Sequence, residues 1–238
     1  MMEAGLVDFF RRRQLARDGF TVAPRFLSAP AALELAAVVR AIYEMLAAAE
    51  TIEDPHLADH FRRWQGVWLK PLPQFLSGAD PEMAARLQRA VAAVSGRARR
   101  LLGEGWYLLE QCSFFRRPSS PTTLLRWHID ADGAQIGKAE SVNVWLPLDE
   151  VGVDLPSLDV IPGSHRKMRK LPLLTDEDYD RDDEFAAALG AAVTPRLQPG
   201  DALIFDQYIL HRSQPTALKE FSRTSCEMRF ARDSLRGR

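Results

Sequence analysis

The sequence predicts an α+β protein, with a mainly helical portion over residues 1–104 and a β-rich body over 105–238, joined in a single domain 1–238. Two observations carry this expectation. The first hundred residues hold two long stretches whose apolar positions recur with helical spacing. From Trp106 onward the chain breaks into short runs rich in β-branched and aromatic residues, divided by Pro, Gly and Asp clusters. Strand and helix patterns do not alternate regularly there, which favours a sandwich or barrel over βαβ units.

Composition sets the outer bounds. The chain has 238 residues, 46% hydrophobic and 26% charged, enough for a well-buried core. Its 31 Lys and Arg nearly balance 32 Asp and Glu, so neither a nucleic-acid nor a membrane-surface partner is expected. No apolar run reaches the length of a membrane span, and the N-terminus becomes charged before a signal-peptide core could form. Only Cys112 and Cys226 occur, far apart, which reads as reduced thiols in a cytoplasmic protein. Oligomeric state is left open.

In chain order, RRRQLAR at 11–17 is a short basic run on a terminal helix, read as a solvated face because no aromatics interleave with it. SAPAALELAAVVRAIYEMLAAAE opens with Ser28 as N-cap and Pro30 in the first turn. Its Leu35, Val38, Val39, Ile42 and Leu46 fall on one helical face. DPEMAARLQRAVAAVSGRARRLLG repeats the scheme: Asp80 precedes Pro81, then Met83, Leu87, Ala90, Val91 and Val94 share a face, and Gly103 follows the end. The strand-like runs are WYLLEQCSFF, TTLLRWHID, SVNVWLPLD, LDVIPGSH, DALIFDQYILH and RTSCEMRFAR. The acidic segment 172–190 is expected as an exposed loop with a short helix.

One stretch points to chemistry. In LLRWHIDADG, His128 and Asp130 are two apart and so share one face of an extended chain, with Trp127 and Ile129 on the other. One imidazole and one carboxylate make two corners of a coordination face; a second histidine would complete the triad of non-haem Fe(II) oxygenases. Four histidines remain. His56 and His60 sit four apart in EDPHLADHF and read as solvated, and His165 follows a tight turn and reads as bonded to backbone. His211 ends an apolar strand launched by a Pro-Gly-Asp turn, the same context as His128, and is chosen. Asp132 is a rival carboxylate, but before Gly133 it reads as a turn cap.

Several segments, in order, resemble the phytanoyl-CoA dioxygenase family of Fe(II)/2-oxoglutarate-dependent oxygenases. LARDGFTVAPRFLS is similar to the family's opening helix, turn and strand, WHID to its proximal iron motif, and SVNVWLPLDEVGVDLPSLDVIPGSH to its central hairpin and Pro-Gly-Ser-His turn. LQPGDALIFDQYILHRS is similar to its distal-histidine strand, followed by Arg223. The resemblance implies a double-stranded β-helix, a cupin-like jelly roll with N-terminal helices packed outside. It implies that His128, Asp130 and His211 hold Fe(II), leaving positions for 2-oxoglutarate and O2. Arg223 would grip the far carboxylate of 2-oxoglutarate, with Ser213 and Gln111 as further contacts. An acidic residue at Asp130 points to hydroxylation rather than halogenation. The implied activity is hydroxylation of a small-molecule metabolite, such as an amino acid, natural-product intermediate or acyl derivative, with release of succinate and CO2.

Other cavity residues follow from strand alternation. In SVNVWLPL, Val142, Val144, Leu146 and Leu148 form one face, while Ser141, Asn143 and Trp145 form the other, taken to point inward toward substrate. Arg229 shares a face with Arg223, Ser225 and Glu227; it is a second candidate for the co-substrate or substrate, or else is neutralised by Glu227. Arg116 or Arg117 is a weaker cavity candidate. Trp64 and Trp68 fall where the family's substrate-covering segment lies, so Trp64 joins the substrate candidates. Two rival readings remain: a cupin-type metal protein that does not use 2-oxoglutarate and gives Arg223 no task, and a non-catalytic binding module on the same fold.

Overall fold

A computed structural model describes residues 2–132, 139–174 and 181–232. The helical portion comprises α1 (Met2–Asp18), α2 (Ala29–Ala48), α3 (Pro55–Trp64), α4 (Leu72–Ala79) and α5 (Pro81–Leu102), with two short strands between them, β1 (Phe20–Ala23) and β2 (Gly66–Trp68). The body contains β3 (Tyr107–Leu108), β4 (Phe114–Arg116), β5 (Glu140–Pro147), β6 (Leu158–Val160), β7 (Ala202–Asp206), β8 (His211–Ser213) and β9 (Ser225–Arg232). Two short helices, α6 (His165–Met168) and α7 (Asp183–Leu189), lie within it.

The strands make two layers. The major sheet is antiparallel in the order β1-β7-β5-β9-β4-β2, with β3 beside β9. The minor sheet pairs β6 with β8 and is widened by the bridges His128–His211 and Val160–Val193. Together they form the double-stranded β-helix that the family resemblance implies.

Alternation along β5 explains the layering. Val142, Val144, Leu146 and Leu148 join α2 and α5 in a core that includes Leu35, Val38, Ile42, Leu87, Val94 and Leu101. Trp145, on the other face, packs with Phe20, Leu203, Phe205, Val160 and Leu158 between the sheets. Each of these aliphatic side chains, once fully buried, contributes roughly 1.5–3 kcal/mol of transfer free energy. Asp80 caps α5 by accepting from the Met83 amide at 3.0 Å, and Gly103 ends it at φ +100°. Val91, expected on the buried face of α5, is half-buried.

The structure corrects several local expectations. Ser28 occupies the N-cap position of α2 but makes no capping bond; Pro30 removes one of the two amides it could have received. The β2 strand was invisible in the sequence, and both β1 and β2 extend the major sheet from within the helical portion. TTLLRWHID forms a 3-10 turn at Pro121–Thr123 and then only isolated bridges at Trp127 and His128. DALIFDQYILH is two strands, not one: the chain turns at Asp206, whose carbonyl accepts from Ile209 and whose carboxylate accepts from the Tyr208 amide. His211 therefore opens β8 in the minor sheet instead of ending β7. The expected central hairpin is likewise a crossover, because β5 pairs with β7 and β9 while β6 pairs with β8. The short helix expected within 172–190 is α7; residues 175–180 of that segment lie outside the described residues.

Candidate metal centre

The backbone brings the two histidines together. His128 and His211 exchange both amide–carbonyl bonds, at 2.9 and 3.0 Å, as a hydrogen-bonded antiparallel pair. Their rings lie side by side with centroids 4.2 Å apart. Each Nδ1 faces the carbonyl two residues earlier, Arg126 at 2.7 Å and Ile209 at 3.1 Å. A carbonyl can only accept, so Nδ1 carries the proton in both rings and each Nε2 is left with a free lone pair. Burial, followed by the neighbouring His211, pushes His128 down to about 3, which keeps it in the neutral, ligating form.

Asp130 completes the group. One ligand atom from each of His128, Asp130 and His211 lies within 4.8 Å of the others, and all three residues are buried. His211 Nε2 and Asp130 Oδ1 are 3.9 Å apart, within reach of one ion at bonds of about 2.1 Å. Two imidazoles and a carboxylate suit a divalent transition metal. The Asp130 carboxylate is held from behind: Arg229 Nη2 sits 2.9 Å from Oδ1, and Asn143 Nδ2 donates to Oδ2. Although burial works against the charged form, Arg229, His211 and His128 outweigh it and hold Asp130 below the ordinary carboxyl range. Trp127 points the other way, its indole donating to Asp183 and its ring carrying Arg212.

The triad opens onto a cavity of about 730 Å³ between the sheets, within the usual range for small-molecule sites. Arg223, just before β9, lines it at 1% exposure. Its Nη1 donates to the carbonyls of Pro156 and Ser157 at 3.2 and 3.3 Å, its guanidinium lies over Trp145 at 5.4 Å, and its Nε has no hydrogen-bond partner. Among the described residues no carboxylate lies within ion-pair distance, and burial lowers its pKa. A desolvated guanidinium facing a cavity is a site for an anion. Ser213 lies beside it in the lining, its oxygen accepting from the Leu125 amide at 3.3 Å, so the hydroxyl proton remains for another acceptor.

Other candidates are placed differently from expectation. Gln111 lines the cavity from a 3-10 turn, Glu110–Cys112, and not from a strand. Asn143 does face inward, but its amide is engaged by Asp130, Glu227 and Arg229. Arg229 is paired with Asp130 and Asn143 in place of Glu227. Trp145 lies under Arg223, and Trp64 stands half exposed at the cavity wall. Arg116 lines the cavity; Arg117 bonds Ser222 and Tyr43's ring face instead. Asp132 pairs with Arg181 at 2.5 Å and accepts from the Leu174 amide at 2.9 Å, so it ties two segments together across the ligand-bearing stretch. His165 packs on the α1–β1 turn, away from the cavity lining.

The sequence pattern did not reveal His60 and Glu227 as cavity residues, nor the apolar Phe114, Leu125 and Leu158. His60, taken as solvated, stacks on Trp68 at 4.4 Å in the cavity wall, and burial pushes it down to about 4. Its i+4 spacing from His56 described the helix but not what the helix packs on. Glu227 lies in the lining and, among the described residues, accepts a hydrogen bond only from Asn143, with burial and Asp130 raising its pKa. Its signal was present in the sequence, as the same strand face as Arg223 and Arg229.

The fold is thus a jelly roll whose cavity carries a His-Asp-His group that could hold a metal ion and a buried arginine in its lining. The sequence profile of the phytanoyl-CoA dioxygenase family matches residues 15–223, and the chain belongs to that family. No curated protein matches it. Solved structures share the fold: AviO1 from Streptomyces viridochromogenes Tue57 superposes with TM-score 0.63 at 18% identity, covering 95% of this chain and 96% of that one. EctD from S. alaskensis, solved with 2-oxoglutarate and 5-hydroxyectoine, gives 0.64 at 23% identity, covering 94% and 75%. The non-heme alpha ketoglutarate dependent epimerase SnoN from nogalamycin biosynthesis gives 0.62 at 19%, covering 94% and 82%.

Proposed function

We propose that the protein is an Fe(II)/2-oxoglutarate-dependent dioxygenase that hydroxylates a small-molecule metabolite and releases succinate and CO2. The observation that carries this reading is the conjunction of the His128, Asp130 and His211 group with Arg223, a buried guanidinium without a carboxylate partner among the described residues. Fe- and 2-oxoglutarate-bound forms of EctD support it by analogy of fold. A cupin-type site without 2-oxoglutarate, or a binding module, gives Arg223 nothing to hold.

His128, Asp130 and His211 would hold Fe(II), which with 2-oxoglutarate and O2 supplies the oxidising power for C–H cleavage. The protein's own part is geometric. The Arg126 and Ile209 carbonyls fix both imidazole tautomers, and Arg229 and Asn143 fix the Asp130 carboxylate. Arg223 and the Ser213 hydroxyl would receive the far carboxylate of 2-oxoglutarate, with Trp145 supporting the guanidinium plane. Gln111 is assigned to the cavity rim. Trp145 and Phe205, which packs on His211 at 4.7 Å, wall the triad from water.

The test is anaerobic binding of 2-oxoglutarate to the Fe(II)-loaded protein, followed by succinate release on admitting air. Asp130→Ala should abolish iron retention and succinate formation together. Turnover independent of Asp130, or no 2-oxoglutarate binding by the iron-loaded wild type, would refute the reading. Product mass separates hydroxylation, which adds one oxygen, from the epimerase chemistry named for SnoN.

A further inference from the structure

The cavity face of the major sheet is a lattice of cross-strand rows. Register sets Trp68 opposite Phe114, Phe114 opposite Glu227 and Glu227 opposite Trp145, so one row crosses β2, β4, β9 and β5. Residues in such a row lie side by side on one face. The next row toward the triad is Arg229 and Asn143, one two-residue step along β9, about 7 Å away. Glu227 thus stands at a boundary. On one side are the triad and Arg223; on the other is an aromatic chamber over the sheet edge. There Phe114 meets Trp68 edge-on at 5.2 Å, and His60 of α3 covers both.

Glu227 is also the least satisfied carboxylate of the cavity among the described residues. Of the carboxylates lining the cavity, Asp130 faces the imidazoles and Arg229, and Asp132 holds Arg181 and the Leu174 amide. Glu227 receives only Asn143 Nδ2, at 3.0 Å on Oε1, and its other oxygen takes no hydrogen bond among the described residues. Arg229, Arg116 and Arg223 are the cations that favour its charge, while burial and Asp130 oppose it. A half-satisfied carboxyl in a desolvated site is a costly group that an incoming donor satisfies.

We infer that Glu227 is the specificity-determining residue of this site: it accepts a hydrogen bond from an amine or hydroxyl of the substrate, whose carbon skeleton lies against Phe114, Trp68 and His60. The inference rests on the oxygenase reading above and names the chemistry of its substrate. Size agrees. Allowing each of the ten non-hydrogen atoms of 2-oxoglutarate roughly 30 Å³, the liquid share of one water, leaves more than half of the 730 Å³ cavity. That is room for a compound of one or two rings. A substrate acid placed there would face the Glu227 carboxylate wherever that group is ionised, above its raised value of about 8, and is disfavoured.

The experiment compares three probes of matched skeleton, 2-phenylethylamine, 2-phenylethanol and 3-phenylpropionate, by tryptophan fluorescence and calorimetry at pH 9, with the wild type and Glu227→Gln, each held anaerobically with Fe(II) and saturating 2-oxoglutarate so that Arg223 is occupied. The wild type should bind the better of the two donor probes at least about ten-fold more tightly than the acid. Glu227→Gln should weaken an amine about ten- to a hundred-fold, or an alcohol about three- to ten-fold, without weakening the acid. Which donor responds identifies the substrate's head group. Equal or tighter binding of the acid, no binding of either donor, or an unchanged profile in a folded Glu227→Gln protein would overturn the inference. If that variant melts below room temperature, the wild-type ranking alone decides. Succinate release is scored separately: its persistence with a failed ranking removes this inference alone, and its absence with an intact ranking removes only the oxygenase reading.

Discussion

Arg223 distinguishes a ligand-binding arginine from a structural one, and Arg223→Met tests which it is. Methionine keeps an unbranched side chain against Trp145 and removes the charge. In the ligand-free protein the guanidinium makes two long bonds to the Pro156 and Ser157 carbonyls, and its Nε makes none. Losing those bonds costs about 1–3 kcal/mol, while releasing a buried charge that has no carboxylate partner among the described residues returns several. The variant should therefore melt within a few degrees of wild type or above it, at about 2–4 °C per kcal/mol for a chain of this size. Co-substrate binding should suffer heavily. Two charge-assisted bonds at about 1.5–3 kcal/mol each correspond to a roughly 10²- to 10⁴-fold loss of 2-oxoglutarate affinity. Thermal melting of the ligand-free protein and anaerobic calorimetry of the Fe(II)-loaded form measure the two effects separately. A melting point lowered by ten degrees with unchanged 2-oxoglutarate affinity would show that the arginine is structural and refute the reasoning.

Three further perturbations follow from the same geometry. A methyl group at Gly66 would sit 2.2 Å from His60 Cε1, so Gly66→Ala should expel His60 from its stack on Trp68 and cost about 1–3 kcal/mol, read as a lower urea midpoint and altered tryptophan emission. Because burial holds His60 at about 4, below the ordinary imidazole value of 6.5, the unfolded chain binds more protons than the folded one in that interval. Stability should thus fall as pH drops from 6.5 toward 4, and His60→Phe, which retains a ring but no titration, should show a shallower decline by urea unfolding; identical slopes would exclude His60 as a contributor. Asp132→Asn removes the carboxylate opposite Arg181 in a buried pair, with side chains 0% and 8% exposed, and should lower the melting temperature by an amount equivalent to about 1–3 kcal/mol. A shift under one degree would mean that the tie to Arg181 carries no stability.

The sequence by itself determined the parts whose cause is local. Helical periodicity marked Leu35, Val38, Val39, Ile42 and Leu46 as one buried face, because 3.6-residue spacing decides which side chains can enter a core together. Two-residue spacing likewise put His128 with Asp130, and Arg223 with Ser225, Glu227 and Arg229, on common faces. Tertiary structure decided what those faces meet. The turn at Asp206 moves His211 from the major sheet into the minor one, opposite His128, and no local pattern announces a change of sheet. Cross-strand register gives Asn143 and Arg229 to Asp130, leaving Glu227 beside Phe114 and Trp145. Packing of α3 carries His60 onto Trp68, although its spacing from His56 suggests only a solvated pair. The difference is physical: periodicity is a property of consecutive residues, whereas pairing across strands joins positions remote in the chain, such as Trp68 with Phe114 and Glu227 with Trp145, and only the closed fold fixes which partners those are.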